Sequence, residues 1–337
     1  MNRVIRMATG LLLFLAVLIS CSKQDENTPP DDVTVQLKWF NQAQFAGFYL
    51  AQARGYYTAE NLKVRFLEGG PGVDPAQSVV SGLADFAVVA PEDILIKRSQ
   101  GKPVTAIAAI YRRSAVVFVS MADSGITRPF DFMGKRVAVA GPAGAIRDSE
   151  FQFHALMRKL KLDVSGVKLV PYDPDFANFL KGKVDVTPAY LTGGVIRMRQ
   201  QGARLNLIWP GDYGVRFYSD TLMTSEQMVG QKAAVVTRFL RATLKGWREA
   251  VGDPEAAVTV TLKYARSPDA NLQVAMLQAL LPLVHTGEDR IGWMKDEDWK
   301  EMHQVLLDEG IIAAPVQDLS NAYTMRFLEK VYGGKAQ

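Results

Sequence analysis

The sequence predicts an α/β protein of two similar lobes joined by a hinge, with a helical C-terminal part packed back on the first lobe. Short β-rich apolar runs alternate with helical stretches from about residue 33 to residue 209, the pattern of mainly parallel sheets with crossover helices. Strand signals then stop near residue 224 and helical periodicity takes over. The chain has 337 residues, enough for about two domains at roughly 150 residues each. Its composition, 48% hydrophobic and 22% charged, is that of a globular protein rather than a disordered or fibrous one.

In the first lobe, strands are predicted over 33–37 and 62–67 with a helix over 48–58 between them. Gly69-Gly70-Pro71-Gly72 breaks the chain, a helix follows over 75–83, and Phe86-Ala87-Val88-Val89 is a buried strand. A helix over 94–100 leads to strands over 105–110 and 115–121. The second lobe repeats the order: strands over 136–140, 167–171, 184–188 and 205–209, and helices over 146–162, 176–180 and 194–201. A last strand near 218–224 precedes helices over 232–251, 254–265, 269–283, 298–309 and 320–332. These boundaries place lobe 1 at 33–121 and 220–332 and lobe 2 at 122–219. The crossings then fall near 120–125 and 215–220, and the cleft is bounded by the carboxyl ends of strands, where such sheets bind ligands.

Residues 1–20 read as a lipoprotein signal peptide. Arg3 and Arg6 precede an apolar run, Leu11 to Ile19, too short for a comfortable membrane span, and the run ends in Leu18-Ile19-Ser20-Cys21. Cys21 is the sole cysteine, so it cannot form an internal disulfide, and lipidation gives it a use. Residues 21–32, polar and carrying Pro29-Pro30, read as a tether. The expected location is exported and lipid-anchored to a bacterial membrane. Removing residues 1–20 lowers the formal charge of +4 by two, and no block of like charge remains to attract nucleic acid.

The stretch Leu37-Lys38-Trp39-Phe40-Asn41-Gln42-Ala43-Gln44-Phe45-Ala46-Gly47-Phe48-Tyr49-Leu50-Ala51 is followed by Gly55-Tyr56-Tyr57 and Glu60-Asn61-Leu62-Lys63-Val64. Together with Gly69-Gly70-Pro71-Gly72, Ser81-Gly82-Leu83-Ala84-Asp85-Phe86, Gly134-Lys135-Arg136-Val137 and Gly182-Lys183-Val184-Asp185-Val186, it resembles the thiamine-pyrimidine family over roughly residues 33–250. That family comprises solute-binding proteins of ABC importers and fungal enzymes that make the pyrimidine moiety. The resemblance implies a periplasmic-binding-protein-like fold of type II, a small planar heteroaromatic ligand, and an ABC permease and ATPase as partners. At the position of Phe45 the fungal enzymes carry a histidine, and Asp212 to Tyr218 lacks their cysteine-rich patch, so the resemblance favours binding without catalysis. It leaves a thiamine pyrimidine precursor and a flavin such as riboflavin both open, with a pyrimidine synthase disfavoured.

The candidate ligand-binding residues follow from position and chemistry. Trp39, Phe40 and Phe45 follow the first strand, where a ring could stack on a flat ligand; packing against the core is the alternative. Gln42 and Gln44 supply the donors and acceptors that a heterocycle edge needs. Gly70, Gly72 and Val73 lead into a helix whose first-turn N–H groups could meet a carbonyl or phosphate, and Gly144 does the same in lobe 2. Glu92 stands after a short strand, either to accept from a ligand amino group or to cap the next helix. Tyr190 matches a strand-end tyrosine of the family, and Tyr213 and Tyr218 lie near the second crossing. No metal or cofactor is expected, because His154, His285 and His303 are far apart without ligand spacing and no nucleophile motif is present. Trp293, Met294 and Trp299 read as packing within the helical tail.

Overall fold

The structure is a computed structural model that describes residues 29–140, 147–287 and 290–333. The features below belong to the compact unit that begins at Asp31. The predicted signal run, Cys21 and most of the predicted tether lie outside the described residues, as does Gly144. The strands are β1 (Asp31–Gln36), β2 (Leu62–Leu67), β3 (Phe86–Val89), β4 (Val104–Ala109), β5 (Val116–Met121), β6 (Arg136–Ala140), β7 (Lys168–Pro171), β8 (Thr187–Tyr190), β9 (Leu205–Ile208) and β10 (Thr221–Ser225). β1 starts inside the predicted tether, because Asp31 N–H donates to Asn61 O at 3.1 Å and its residue pairs with Leu62.

The first sheet has the order β2-β1-β3-β10-β4. β1 runs parallel to β2 and β3, and β10 returns antiparallel between β3 and β4. β3 and β4 are buried at every residue, as their unbroken apolar runs require of strands covered on both faces. The second lobe holds β5 between β8 and β9, with the parallel pair β6-β7 joined to it by a bridge from Val137 to Val186.

One aspartate in each lobe stitches neighbouring strands in the same way. The Asp85 carboxylate accepts from Thr34 N–H at 2.8 Å, and Asp185 accepts from Arg136 N–H at 2.8 Å and from its guanidinium at 2.6 Å. Each follows a glycine at positive φ, Gly82 (+75°) and Gly182 (+69°), that turns the chain from helix to strand. The two Gly-x-x-Asp motifs of the sequence are therefore a structural device used twice.

The sequence boundaries between lobes need one correction. β5 pairs with β8 and β9 of the second sheet, so the first crossing lies at 110–115 rather than 120–125. The two crossings run side by side: Tyr111 N–H donates to Asp220 O, Ser219 N–H donates to Tyr111 O, and Ala115 N–H donates to Ser219 Oγ. The predicted helix over 48–58 is broken into Ala46–Ala53 and Tyr56–Ala59 by Gly55, at φ +69°.

The C-terminal helices pack on the first lobe, and two of them also reach the second. Helix Ala233–Gly252 lies along Ala46–Ala53, and Arg326–Tyr332 packs against it and β4. Helix Ala270–Val284 touches the second-lobe turn Leu191–Val195, and Asp296–Asp308 meets Arg147–Lys159. There Arg158 pairs with Asp308 at 2.6 Å and Glu309 at 2.7 Å, and Lys159 with Glu301 at 3.1 Å. Trp299 is fully buried, stacked on Tyr323 at 5.3 Å, as a packing role requires.

Helices Ala46–Ala53 and Ala233–Gly252 approach backbone to backbone through two glycines. A Cβ on Gly246 would lie 2.2 Å from Gly47 O, and one on Gly47 would lie 2.2 Å from the Trp247 ring. Gly246→Ala is expected to destabilise the protein by about 1–3 kcal/mol in urea unfolding through overpacking. Gly230→Ala, whose Cβ meets nothing within 4 Å in helix Glu226–Gln231, is expected to leave stability unchanged or raise it by about 1 kcal/mol.

Candidate functional site

The loop after β1 forms the lip of the interlobe region, and glycines let it lie close to the loop after β2. Gly69 N–H donates to Trp39 O at 3.0 Å, and a Cβ on Gly69 would stand 2.3 Å from Leu37 O. Gly70, at φ +144°, leaves room for Phe40, whose ring would be 2.6 Å from any Cβ there. Gly70 thus supports an aromatic side chain where the sequence reading gave it a ligand. The first turn of helix Pro75–Val80 is also already served, since Asp74 accepts from Gln77 N–H and pairs with Lys97 at 2.9 Å. Gly72 is open at φ +82°, and Val73 is exposed on the same lip.

Trp39 and Phe40 form a tilted pair, ring centroids 5.2 Å apart, with Trp39 36% exposed. The Arg266 guanidinium lies over the other ring, 4.1 Å from the Phe40 centroid. Phe45, in contrast, is fully buried and meets Tyr49 edge-on. The turn Ala43–Phe45 leads straight into helix Ala46–Ala53 and carries this ring into the core, so it offers no surface to a ligand.

Behind the lip is a buried polar group centred on Asp220, just before β10. Its carboxylate accepts from Gln44 Nε2 at 2.8 Å and from Tyr190 Oη at 2.9 Å, and lies 3.5 Å from Lys38 Nζ. Gln42 Nε2 donates to Gln44 Oε1 at 2.9 Å, and Tyr111 Oη donates to Gln44 O at 3.0 Å. Lys38 also lies 5.3 Å from the centre of the Tyr190 ring. Tyr190 comes from the end of β8 in the second lobe, so the group ties the lobes together at their crossings. Burial pushes the Asp220 carboxyl above its ordinary 3.8, outweighing the opposing pull of Lys38 and of the hydrogen bonds from Gln44 and Tyr190. Burial likewise raises the Tyr111 hydroxyl well above 10.0.

Of the remaining candidates, Glu92 is buried in the first turn of helix Pro91–Ser99, at the carboxyl end of β3; Ala90 takes the cap position. Tyr213 is half-buried in the turn Pro210–Tyr213, packed near helix Arg147–Lys159 and away from the Asp220 group. Tyr218 is a structural pin: its hydroxyl donates to Asp298 at 2.6 Å, accepts from Lys295 N–H at 2.7 Å, and its ring faces Trp299.

A cavity of about 90 Å³ opens beside the lip, lined by Phe40, Asn41 and Gln42, by Arg197 of the second lobe, and by Arg266 and Gln273 among others. Gln273 holds the loop in place, accepting from Ala43 N–H at 2.7 Å and donating to Ser267 O at 2.8 Å. An open depression of about 540 Å³ lies on the same seam between helices Ile196–Gln200 and Ala270–Val284. Sequence reasoning missed Lys38, Tyr111, Asp220, Gln273, Arg197 and Arg266. Of these Asp220 carries at most a faint local signal, as an acid just before β10.

Two α/β lobes with paired crossings and a polar group between them define a periplasmic-binding-protein fold. The sulfonate-binding protein SsuA of Methylobacillus flagellatus KT superposes with a TM-score of 0.68 at 16% identity, over 90% of this chain and 94% of that one. The chain belongs to the NMT1/THI5 like family, whose model matches residues 42–257. It is 25% identical to the riboflavin-binding protein RibY of Chloroflexus aurantiacus, over 96% of this chain and 98% of that protein. It is 27% identical to a formylaminopyrimidine-binding protein of Halalkalibacterium halodurans, over 87% and 90%. It is also 24% identical to a 4-amino-5-hydroxymethyl-2-methylpyrimidine phosphate synthase of Legionella pneumophila, over 88% and 92%. Among the described residues no helix is long and apolar enough to cross a membrane.

The raised Asp220 value fixes the sign of a pH effect. A carboxyl with a higher value folded than unfolded contributes most below 3.8, and that contribution falls as pH rises toward the folded value. The neutral Asp220→Asn variant lacks this term. Its unfolding free energy, followed in urea from pH 3.8 to 7, should therefore gain on that of the wild type as pH rises. Asp220→Ala should cost about 3–5 kcal/mol, because it strips Lys38 of a buried counter-ion.

Proposed function

We propose that this chain is the exported, lipid-anchored substrate-binding component of an ABC importer. In this reading it captures a thiamine pyrimidine precursor between its lobes and hands it unchanged to the permease. The observation that carries the reading is the juxtaposition of exposed Trp39 and half-buried Phe40 with the amides of Asn41 and Gln42 at the lobe crossing. Aromatic faces hold a flat ring by stacking, and amides match the alternating donors and acceptors of an aminopyrimidine. The formylaminopyrimidine-binding relative supports the ligand class. The cavity of about 90 Å³ is below the roughly 300–1,000 Å³ of drug-sized ligand sites, which favours a small ring and a capture step in which the lobes adjust around it.

Binding rather than turnover is supported by Phe45, an apolar buried ring that can neither transfer a proton nor attack a ligand. Lipidation at Cys21 and export rest on the N-terminal sequence. A second reading, capture of riboflavin, draws on the open depression of about 540 Å³ along the seam, which could take a longer ring system, and on the likeness to RibY.

Mass spectrometry of ligand released from the purified mature protein, with tryptophan-fluorescence titration against both compounds, decides between them. The proposal expects the aminopyrimidine to bind and to be recovered chemically intact; turnover of it would overturn the proposal. Trp39→Ala should weaken whichever ring binds about tenfold, equivalent to ~1.4 kcal/mol.

A further inference from the structure

The cavity beside the lip has a charge character that a neutral aminopyrimidine leaves unused. Arg197, on the second-lobe helix Ile196–Gln200, and Arg266, which follows helix Pro254–Thr261 on the first lobe, both line it. Neither guanidinium has a carboxylate partner among the described residues, and no Asp or Glu lines the cavity. Arg266 is fixed from two sides, its N–H donating to Asn41 O at 2.9 Å and its guanidinium resting on Phe40. Asn41 accepts from Tyr49 Oη at 2.7 Å through Oδ1, which leaves the donor end of its amide for other contacts. The Gln273 amide is spent at both ends on Ala43 and Ser267, leaving the Ser267 hydroxyl as a further donor on the wall. The charged groups available here are therefore two cations and no anion, with the neutral groups of Asn41, Gln42 and Ser267 beside the Phe40 ring.

We infer that Arg197 and Arg266 form a cross-lobe subsite for an oxyanion, and that the ligand is a planar ring carrying a phosphate or similar anionic group. The inference rests on the proposed capture of a ring at Trp39 and Phe40. A guanidinium from each lobe on one anion makes charge-assisted hydrogen bonds that exist only when the lobes meet around it. The anion thereby adds affinity to the closed arrangement specifically, which is what a ligand must do to favour closure. A surface rich in cations would attract anions without shape. Here Phe40 and the lip place the ring next to the charge, so ring and anion are selected together.

The test compares 4-amino-5-hydroxymethyl-2-methylpyrimidine with its phosphate ester, and riboflavin with its 5′-phosphate, by calorimetric titration. The inference expects the phosphorylated form of the binding pair to be held at least about tenfold tighter. Arg197→Gln should bring that preference close to unity while leaving affinity for the neutral parent unchanged, which also reports that the variant folds; Arg266→Gln should lower the preference as well, but because Arg266 also covers Phe40 it is expected to weaken the neutral parent too. Equal affinity for ester and parent, or a preference that survives both substitutions, overturns the inference and leaves the capture reading standing. Inorganic phosphate supplies the anion without the ring. If no ring compound binds but phosphate raises the thermal midpoint of the wild type and not of Arg197→Gln, the oxyanion subsite stands and the ring reading falls. If phosphate also has no effect, both fall.

Discussion

Asp220 is buried where the second crossing re-enters the first sheet, and its carboxylate holds groups from stretches of chain far apart in sequence. Lys38 and Gln44 come from the loop after β1, and Tyr190 from the end of β8 in the other lobe. A charge in such a place is costly unless hydrogen-bonded and paired, so each partner is constrained by the others. Gln44 in turn fixes Gln42, and Tyr111 fixes the backbone at Gln44. The lip that carries Trp39 and Phe40 begins at Lys38. Its position is thus set by a polar group that offers little of itself to the surface.

The same lip is held from outside by packing. Gly69 and Gly70 bring the loop after β2 against it, Gln273 grips Ala43, and Arg266 covers Phe40. Two of these supports come from the C-terminal helical segment, which gives a structural use to the run of helices that follows a fold whose sheets are complete by β10. Helix Ala233–Gly252 joins the first lobe through the Gly47-Gly246 contact, and helix Ala270–Val284 then reaches the second-lobe turn at Leu191–Val195. The tail is a brace that spans the seam.

The strand-helix order was legible in the sequence because period and breaker residues report local structure directly. Gly55, Gly82 and Gly182 mark turns that only positive φ allows, and the apolar runs of β3 and β4 announce strands covered on both faces. Sheet membership is not a local property. The run at 116–121 reads as one more strand of the first lobe, and only its pairing with β8 and β9 assigns it to the second. The site divides along the same line. Trp39, Phe40, Gln42, Gln44 and Tyr190 were legible as candidates because they stand at or just after strand ends, where α/β sheets expose side chains. Phe45 was misplaced because one further residue of turn carries its ring inside, and Tyr218 because its partner Asp298 is 80 positions away. Asp220 gave almost no signal, since its meaning lies in Gln44, 176 residues distant, and in Tyr190, 30 residues distant on another sheet.

Two kinds of contact bridge the lobes, and they bear differently on the proposed capture. Tyr190 on Asp220 and the Arg158 pairs with Asp308 and Glu309 are made by the protein alone. The first is buried; the ion pairs are partly exposed, and pairs of that kind contribute at most about 1 kcal/mol each. Such contacts favour a closed form without distinguishing one solute from another. Selectivity must come from groups that the protein leaves unmatched, since these gain only when the right ligand arrives. On the proposed reading they are the open face of Trp39 on the lip and the guanidinium of Arg197 in the cavity, one on each lobe. On that reading a ligand satisfying both would be flat at one end and anionic at the other, and long enough to span the join.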